Sequence, residues 1–359
     1  MDLHLVGGFL GSGKTTAIIA AAKRLMAQGK RVGVVTNDQG KYLVDTAFFE
    51  LSDVPTVEVV GGCFCCNYGD LEEQLDRLEA DVQPDVIFAE SVGSCADIVA
   101  TVLNPLLNLR KVDASKTTFS VFVDIRLFHR RLLGQSLPFS ENVVYIFEKQ
   151  IEEAGLLVIN KRDLVSESVE QEVLELTRER FPNKPLRLQN SLDRESIAGW
   201  VEALESKTIP LPKTSLELDY ARYGEGETRL AWLDAELVIG APGEEGRAAV
   251  IAVIDSLLEG IRKERLPVGH LKFLIRGEGT GLKLSFPSVD AAGWEADVPA
   301  PSVKPIRLLV NARVESDPQF LRELVHRAIA QAEEMIGISI EQAELESFKP
   351  GVPNPPHRM

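Results

Sequence analysis

The chain has 359 residues, 45% of them hydrophobic and 26% charged, a composition that suits two globular domains with sizeable cores. Its 39 basic and 54 acidic side chains leave a formal charge of −15, which argues against nonspecific nucleic-acid binding and against adsorption to anionic membranes. No apolar run approaches the roughly 18 residues that cross a bilayer, and the first residues lack the basic start of a secretory signal, so a cytoplasmic protein with no nucleic-acid or membrane partner is expected.

Apolar runs at 3–6, 32–36, 57–60, 86–89, 120–123 and 156–160 are rich in Val, Ile and Leu. Several lack polar alternation, which predicts strands buried on both faces of a parallel sheet. Between them, 14–28 sets Ile18, Ala22, Leu25 and Met26 on one helical face and stops at Gly29; 70–80 and 168–181 repeat that period. The alternation predicts an α/β domain over 1–206, a doubly wound and mostly parallel sheet. The Pro-containing stretch at 207–216 reads as a linker. Strands at 231–239, 271–275, 283–286, 306–314 and 338–346, with helices at 244–263 and 318–336, predict a smaller α+β domain over 217–348. Its sheet should be largely antiparallel, with a hairpin-like turn at 277–281. The Pro-rich 349–359 predicts an extended or disordered tail.

The first strand runs into Gly8-Phe9-Leu10-Gly11-Ser12-Gly13-Lys14-Thr15, the pattern G-x-x-x-x-G-K-[ST] between a strand and a helix. Such a loop curls backbone amides around phosphate oxygens, here from Gly8, Gly11, Ser12, Gly13, Lys14, Thr15 and Thr16. The helix N-terminus adds partial positive charge. Lys14 can reach the β- and γ-phosphates and the Thr15 hydroxyl can ligate Mg2+, which makes this a P-loop NTPase pattern.

At 156–160 an apolar strand ends in Asn160-Lys161-Arg162-Asp163. There Asp163 can accept from guanine N1–H and the exocyclic amine, Asn160 can brace the loop and Lys161 can lie along the base, which favours GTP over ATP. Asp38 and Glu90, each just past a strand, stand at the same carboxyl edge as the P-loop. They are candidates to order Mg2+ and the attacking water, with Gly93 as a γ-phosphate sensor. The chain has four cysteines, and Cys63, Cys65 and Cys66 fall within four residues, a poor disulfide framework but three ligands for a tetrahedral soft-metal site. Cys95 reads either as a fourth ligand or as core filler. Trp200, Trp232 and Trp294 read as packing residues, and Glu225 and Glu227 as solvated surface.

The stretches GGFLGSGKTT, GGCFCCN, ESVG and NKRD, in this order and spacing, resemble the CobW-like GTPases, metallochaperone-type proteins related to the nickel-insertion GTPases of urease and hydrogenase. The resemblance covers roughly 1–205. It implies a GTPase of the SIMIBI class that binds GTP or GDP with Mg2+, holds Zn2+ or Co2+ at Cys63, Cys65 and Cys66, and couples hydrolysis to delivery into a client metalloprotein or cofactor-dependent enzyme. A nucleotide- or metal-dependent homodimer fits the same picture. Asn37-Asp38-Gln39-Gly40-Lys41 stands where the family usually has NEFG(E), with Asp38 keeping the charge and Lys41 replacing a frequent Glu. Two other functions remain open at this point: a GTP-gated chaperone of a cofactor-dependent enzyme, corrinoid enzymes included, with structural cysteines, and a thiol-redox sensor.

Overall fold

The computed structural model describes residues 1–40, 44–277, 280–289, 293–301 and 304–359; Lys41 and the middle of the expected turn at 277–281 lie outside them. The chain divides into two compact units, one of 1–39, 52–226 and 352–359, the other of 40–51 and 227–351. The expected linker and most of the expected tail therefore belong to the first unit, and 40–51 belong to the second.

In chain order the elements up to the second sheet are β1 (Asp2–Gly8), α1 (Lys14–Ala27), β2 (Val32–Asn37), α2 (Val44–Glu50), β3 (Thr56–Val59), α3 (Tyr68–Asp81), β4 (Val86–Glu90), α4 (Asn104–Asn108), β5 (Thr117–Asp124), α5 (Ile125–Leu132), α6 (Glu141–Glu153), β6 (Leu156–Asn160), α7 (Glu167–Arg180), β7 (Leu186–Leu188), α8 (Arg194–Glu205) and α9 (Tyr220–Arg229). The first unit is built on a parallel seven-stranded sheet in the order β3-β2-β4-β1-β5-β6-β7. Every residue of β4 and β6 is buried, as their unbroken apolar runs require. Strand β5 is longer than its apolar run because its polar residues find partners inside. Thr118 hydrogen-bonds the His4 ring at 2.9 Å, and Ser120 accepts from the Trp200 indole at 3.4 Å. All seven strands point the same way, so the segments that follow β1, β2, β3, β4 and β6 share one edge.

A buried carboxyl supports the segment after β4. Glu153, at the end of α6, accepts from the Val99 N–H at 3.2 Å. Burial pushes its pKa up to about 8, against the ordinary 4.5, and nearby Asp97 adds to the shift. The native state thus holds a proton that the unfolded chain releases near 4.5. Stability from this group is complete below that pH and is lost as pH rises to about 8. Glu153→Gln should remove that loss: its melting temperature should match the wild type near pH 5 and exceed it by several degrees near pH 8. Parallel melting curves across that range would show that another group titrates.

The second unit continues with β8 (Leu230–Ile239), α10 (Gly243–Lys263), β9 (Val268–Gly277), β10 (Thr280–Phe286), β11 (Ile306–Glu315), α11 (Pro318–Ile336) and β12 (Ile340–Phe348). Its five strands pair antiparallel in the order β10-β9-β11-β8-β12. One face of this sheet, with Phe273, Leu308 and Val310, forms a core with α10 and α11. Alternation puts Leu274 and Leu309 on the other face, where Val44 and Ala47 of α2 pack on them. Helix α2 is further held by Asn311, which accepts from the Val44 N–H at 2.7 Å, and by Asp45, which pairs with Lys272 and Lys283. Glu227 is buried rather than solvated, and Trp200, Trp232 and Trp294 are core residues as expected.

The tail is extended but tied down within the first unit. Arg358 pairs with the buried Asp97 at 2.7 Å, and the Met359 N–H donates to the Ala100 carbonyl at 2.9 Å. No helix among the described residues is long and apolar enough to cross a membrane.

Candidate functional site

The loop between β1 and α1 is shaped by its neighbours. Gly13 has φ +93°, and a Cβ there would come within 2.4 Å of Asn160 Nδ2, so a side chain is excluded on both counts. Helix α1 starts with no side-chain cap and no acidic residue in its first turn, whereas Asp193 caps α8 and Asp317 caps α11. Its leading amides and dipole are thereby left to an anion. The buried Lys14 ammonium donates to the carbonyls of Gly8 at 2.9 Å and Phe9 at 3.4 Å, which keeps the charge over the loop.

Thr15 and Glu90, 75 positions apart, are brought together: the Thr15 hydroxyl donates to Glu90 Oε1 at 2.8 Å. The strand register pairs Val6 with Glu90, so this meeting follows from β1 lying beside β4. A hydroxyl and a buried carboxylate at this spacing could hold Mg2+, Thr15 through its hydroxyl and Glu90 through a water. Gly93 lies against the P-loop; a Cβ on it would come within 2.7 Å of the Leu10 side chain and 3.0 Å of its backbone. The Gln150 amide clamps this segment by donating to the carbonyls of Gly93 at 3.0 Å and Cys95 at 2.8 Å. Asp38 sits on the β3 side of the edge. Its N–H donates to the Val59 carbonyl at 3.3 Å, and its carboxylate accepts from the Gln39 N–H at 2.7 Å.

Asn160 links the far side. Fully buried, it donates to the Ser12 carbonyl at 2.8 Å and accepts from the Ser191 N–H at 3.1 Å and hydroxyl at 2.9 Å. Lys161 takes a left-handed φ of 65° and reaches Asp124 at 3.1 Å. Against the burial of Asp124, a hydrogen bond from Arg126 and the charge of Lys161 hold its carboxyl below the ordinary range. Asp163 stands exposed on the short turn that follows. Sequence reasoning missed Ser191, Asp124 and Gln150; the polar run 189–191 shortly before the helix cap Asp193 was the one local signal for Ser191.

The turn after β3 carries the thiols. The N–H groups of Cys66 and Asn67 both donate to the Cys63 carbonyl, at 3.0 and 2.9 Å. Asn37, at the end of β2, shapes the turn by donating to the Gly62 carbonyl at 2.7 Å and accepting from the Phe64 N–H at 2.8 Å. The sulfurs of Cys63, Cys65 and Cys66 lie within 4.8 Å of one another. Zinc–sulfur bonds of about 2.3 Å place tetrahedral sulfurs about 3.8 Å apart. The Cys65–Cys66 separation is 3.8 Å; that of Cys63 and Cys65 is 2.6 Å and would open around an ion. The donor set fits a soft divalent cation.

Hydrogen bonds from Cys65, and then from Cys66 and Cys95, pull the Cys63 thiol well below its ordinary range. Cys65 is correspondingly raised by its bonding to Cys63, and Cys66 is pushed up to about 11 by the same partner. Metal binding to such thiols displaces their protons. Cys66, half-buried, also accepts from the Asn354 N–H of the tail at 3.3 Å.

Among known proteins, the chain is similar to the zinc chaperone CobW of a Sinorhizobium species, 26% identical over 52% of this chain and 57% of the relative. It is also similar to the zinc chaperone YeiR of Escherichia coli, 28% identical over 59% of each. The chain thus spans a little over half the length of these relatives. The crystal structure of HypB from Helicobacter pylori in complex with nickel is similar at 19% identity and a TM-score of 0.45, over 60% of this chain and 92% of that one. The model of the CobW/HypB/UreG nucleotide-binding domain matches residues 2–186, just over half of the chain, and the chain belongs to that family.

Proposed function

We propose that this chain is a Mg2+-dependent GTPase that takes Zn2+ or Co2+ as cargo at Cys63, Cys65 and Cys66 and couples hydrolysis to handing it to a client protein or cofactor-dependent enzyme in the reducing cytoplasm. The observation that carries the reading is the shared edge. The thiol turn, the Thr15–Glu90 pair and the Asn160 hub all lie at or just past the carboxyl ends of strands of one parallel sheet, and Asn37 ties the thiol turn to the end of β2. The names of the zinc-chaperone relatives support zinc as the ion.

In this reading the α1 amides and Lys14 hold the triphosphate. Bound Mg2+ neutralises charge that builds between the β- and γ-phosphates. Thr15 would help hold that ion, Glu90 and Asp38 would hold waters, and Gly93 would stand near the γ-phosphate. Chemistry then consists of positioning and electrostatic stabilisation. Asp163 selects guanine. Asp163→Asn should weaken GTP by about 1–3 kcal/mol, the scale of a lost hydrogen bond to a charged group, and favour xanthosine triphosphate. Equal competition by ATP and GTP in the wild type would reduce 160–163 to a capped turn.

The coupling is tested by titrating Zn2+ and Co2+ against a competing chelator in the apo, GDP-bound and GTP-analogue-bound chain. A coupling of about 1–3 kcal/mol corresponds to a roughly 5–150-fold difference in metal affinity between states, with the same factor appearing in nucleotide affinity. Identical affinity in all three states would favour structural cysteines instead.

A further inference from the structure

We infer that residues 352–359 form a strap over the thiol turn that sets how fast an ion enters and leaves it, with the Arg358–Asp97 pair as its latch. The inference rests on the metal-binding reading above and goes beyond it in assigning a gate to that site. The strap, the thiol turn and the latch all belong to the first unit.

Composition makes the strap stiff. Pro353, Pro355 and Pro356 fix φ at about −65°, and Val352, Asn354 and Pro355, each standing before a proline, are held extended. Such a segment has little freedom left to lose on docking. Prolines also lack the N–H, so between 353 and 356 only Asn354 carries a backbone donor. That donor is spent on sulfur: the Asn354 N–H donates to Cys66 Sγ at 3.3 Å. On one side of this contact Pro353 is buried, and Val352 sits so near α9 that a Cβ on Gly224 would come within 2.7 Å of its side chain. On the other side His357 meets Tyr68, two positions past Cys66, edge to face at 5.2 Å. Arg358 then donates to Asp97 at 2.7 Å and to the Leu216 carbonyl at 2.6 Å, while Tyr220 donates to the same carboxylate at 2.6 Å. Asp97 takes a left-handed φ of 66°, which a non-glycine residue holds where its surroundings impose it.

The strap lies where traffic must pass. Cys63 and Cys65 are buried and Cys66 is the half-buried member of the set, so the route from the three sulfurs to solvent runs along Cys66. An ion passes the strap in both directions. Exchange then scales with the fraction of molecules whose strap is open, and a barrier common to entry and exit slows both by the same factor without changing affinity. Arg358 is exposed and touches no thiol, so releasing it opens the strap while the ligands stay as they are.

The test uses the full chain, purified without oxygen. Loaded with one Zn2+ and mixed with excess pyridylazoresorcinol, Arg358→Ala should release the ion roughly 10-fold faster than the wild type, the low end for a hydrogen bond to a charged group because Arg358 is exposed. Uptake by the apo chain should quicken by the same factor, so affinity stays within a few-fold. Asn354→Pro deletes the N–H at Cys66 and suits the extended backbone, and it too should speed release. Without metal, N-ethylmaleimide should label Cys66 faster in both variants, as read by peptide mass spectrometry. GDP binding and thermal melting check the fold of each. Release and labelling at wild-type rates in both folded variants would overturn the inference. So would weakened affinity in Arg358→Ala with uptake unchanged, which would make the segment a support for the ligands rather than a gate. A wild-type chain that binds no Zn2+ would overturn the metal-binding reading, and the gate with it, whatever the labelling rates.

Discussion

Lys14→Ala should lower GTP turnover by at least about 100-fold, the scale seen when one preorganised charge or donor is removed from a site whose barrier is electrostatic. Lys14 is buried beside its own loop, where it donates to the carbonyls of Gly8 and Phe9. Losing those bonds costs on the order of 1–2 kcal/mol, well within what a domain of this size tolerates. Folding should therefore survive while hydrolysis does not. The measurement is phosphate release under single-turnover conditions, beside thermal melting and binding of a GDP analogue. Turnover within a factor of a few of wild type, in folded protein, would remove the P-loop from the mechanism.

Changing Cys63, Cys65 and Cys66 together to Ser should lower Zn2+ affinity by at least about 1,000-fold, because thiolate sites of this type draw on the order of 10–16 kcal/mol from their ligands. Serine hydroxyls keep the volume and the hydrogen bonding of the turn but do not ionise at neutral pH. Asn37 and the Cys63 carbonyl, which shape the turn through backbone groups, remain in place. Nucleotide binding should stay close to wild type, since Thr15, Glu90 and Asn160 take no bond from the thiols in their contacts with one another and with the P-loop. Metal content after anaerobic purification and chelator competition read the effect. Retention of one tightly bound ion by the triple variant would place the metal elsewhere on the chain.

The sequence by itself determined the strands that lie deep in the first sheet, the P-loop and the spacing of the cysteines. Strand β6 occupies 156–160 as read, and β4 differs from its reading by one residue, because a strand covered on both faces must be apolar throughout. The ends of α11 were equally legible, since Asp317 caps its start and Gly337 takes the left-handed turn after it. Strand β7 escaped because three half-buried residues at a sheet edge carry no periodic signal. Only the tertiary structure decided strand order, and with it the meeting of Thr15 with Glu90 and of Asn160 with Ser12 and Ser191, all of which are far apart in sequence. It also decided that α2, whose chain neighbours belong to the first sheet, packs in the second unit, where Asp45 finds Lys272 and Lys283.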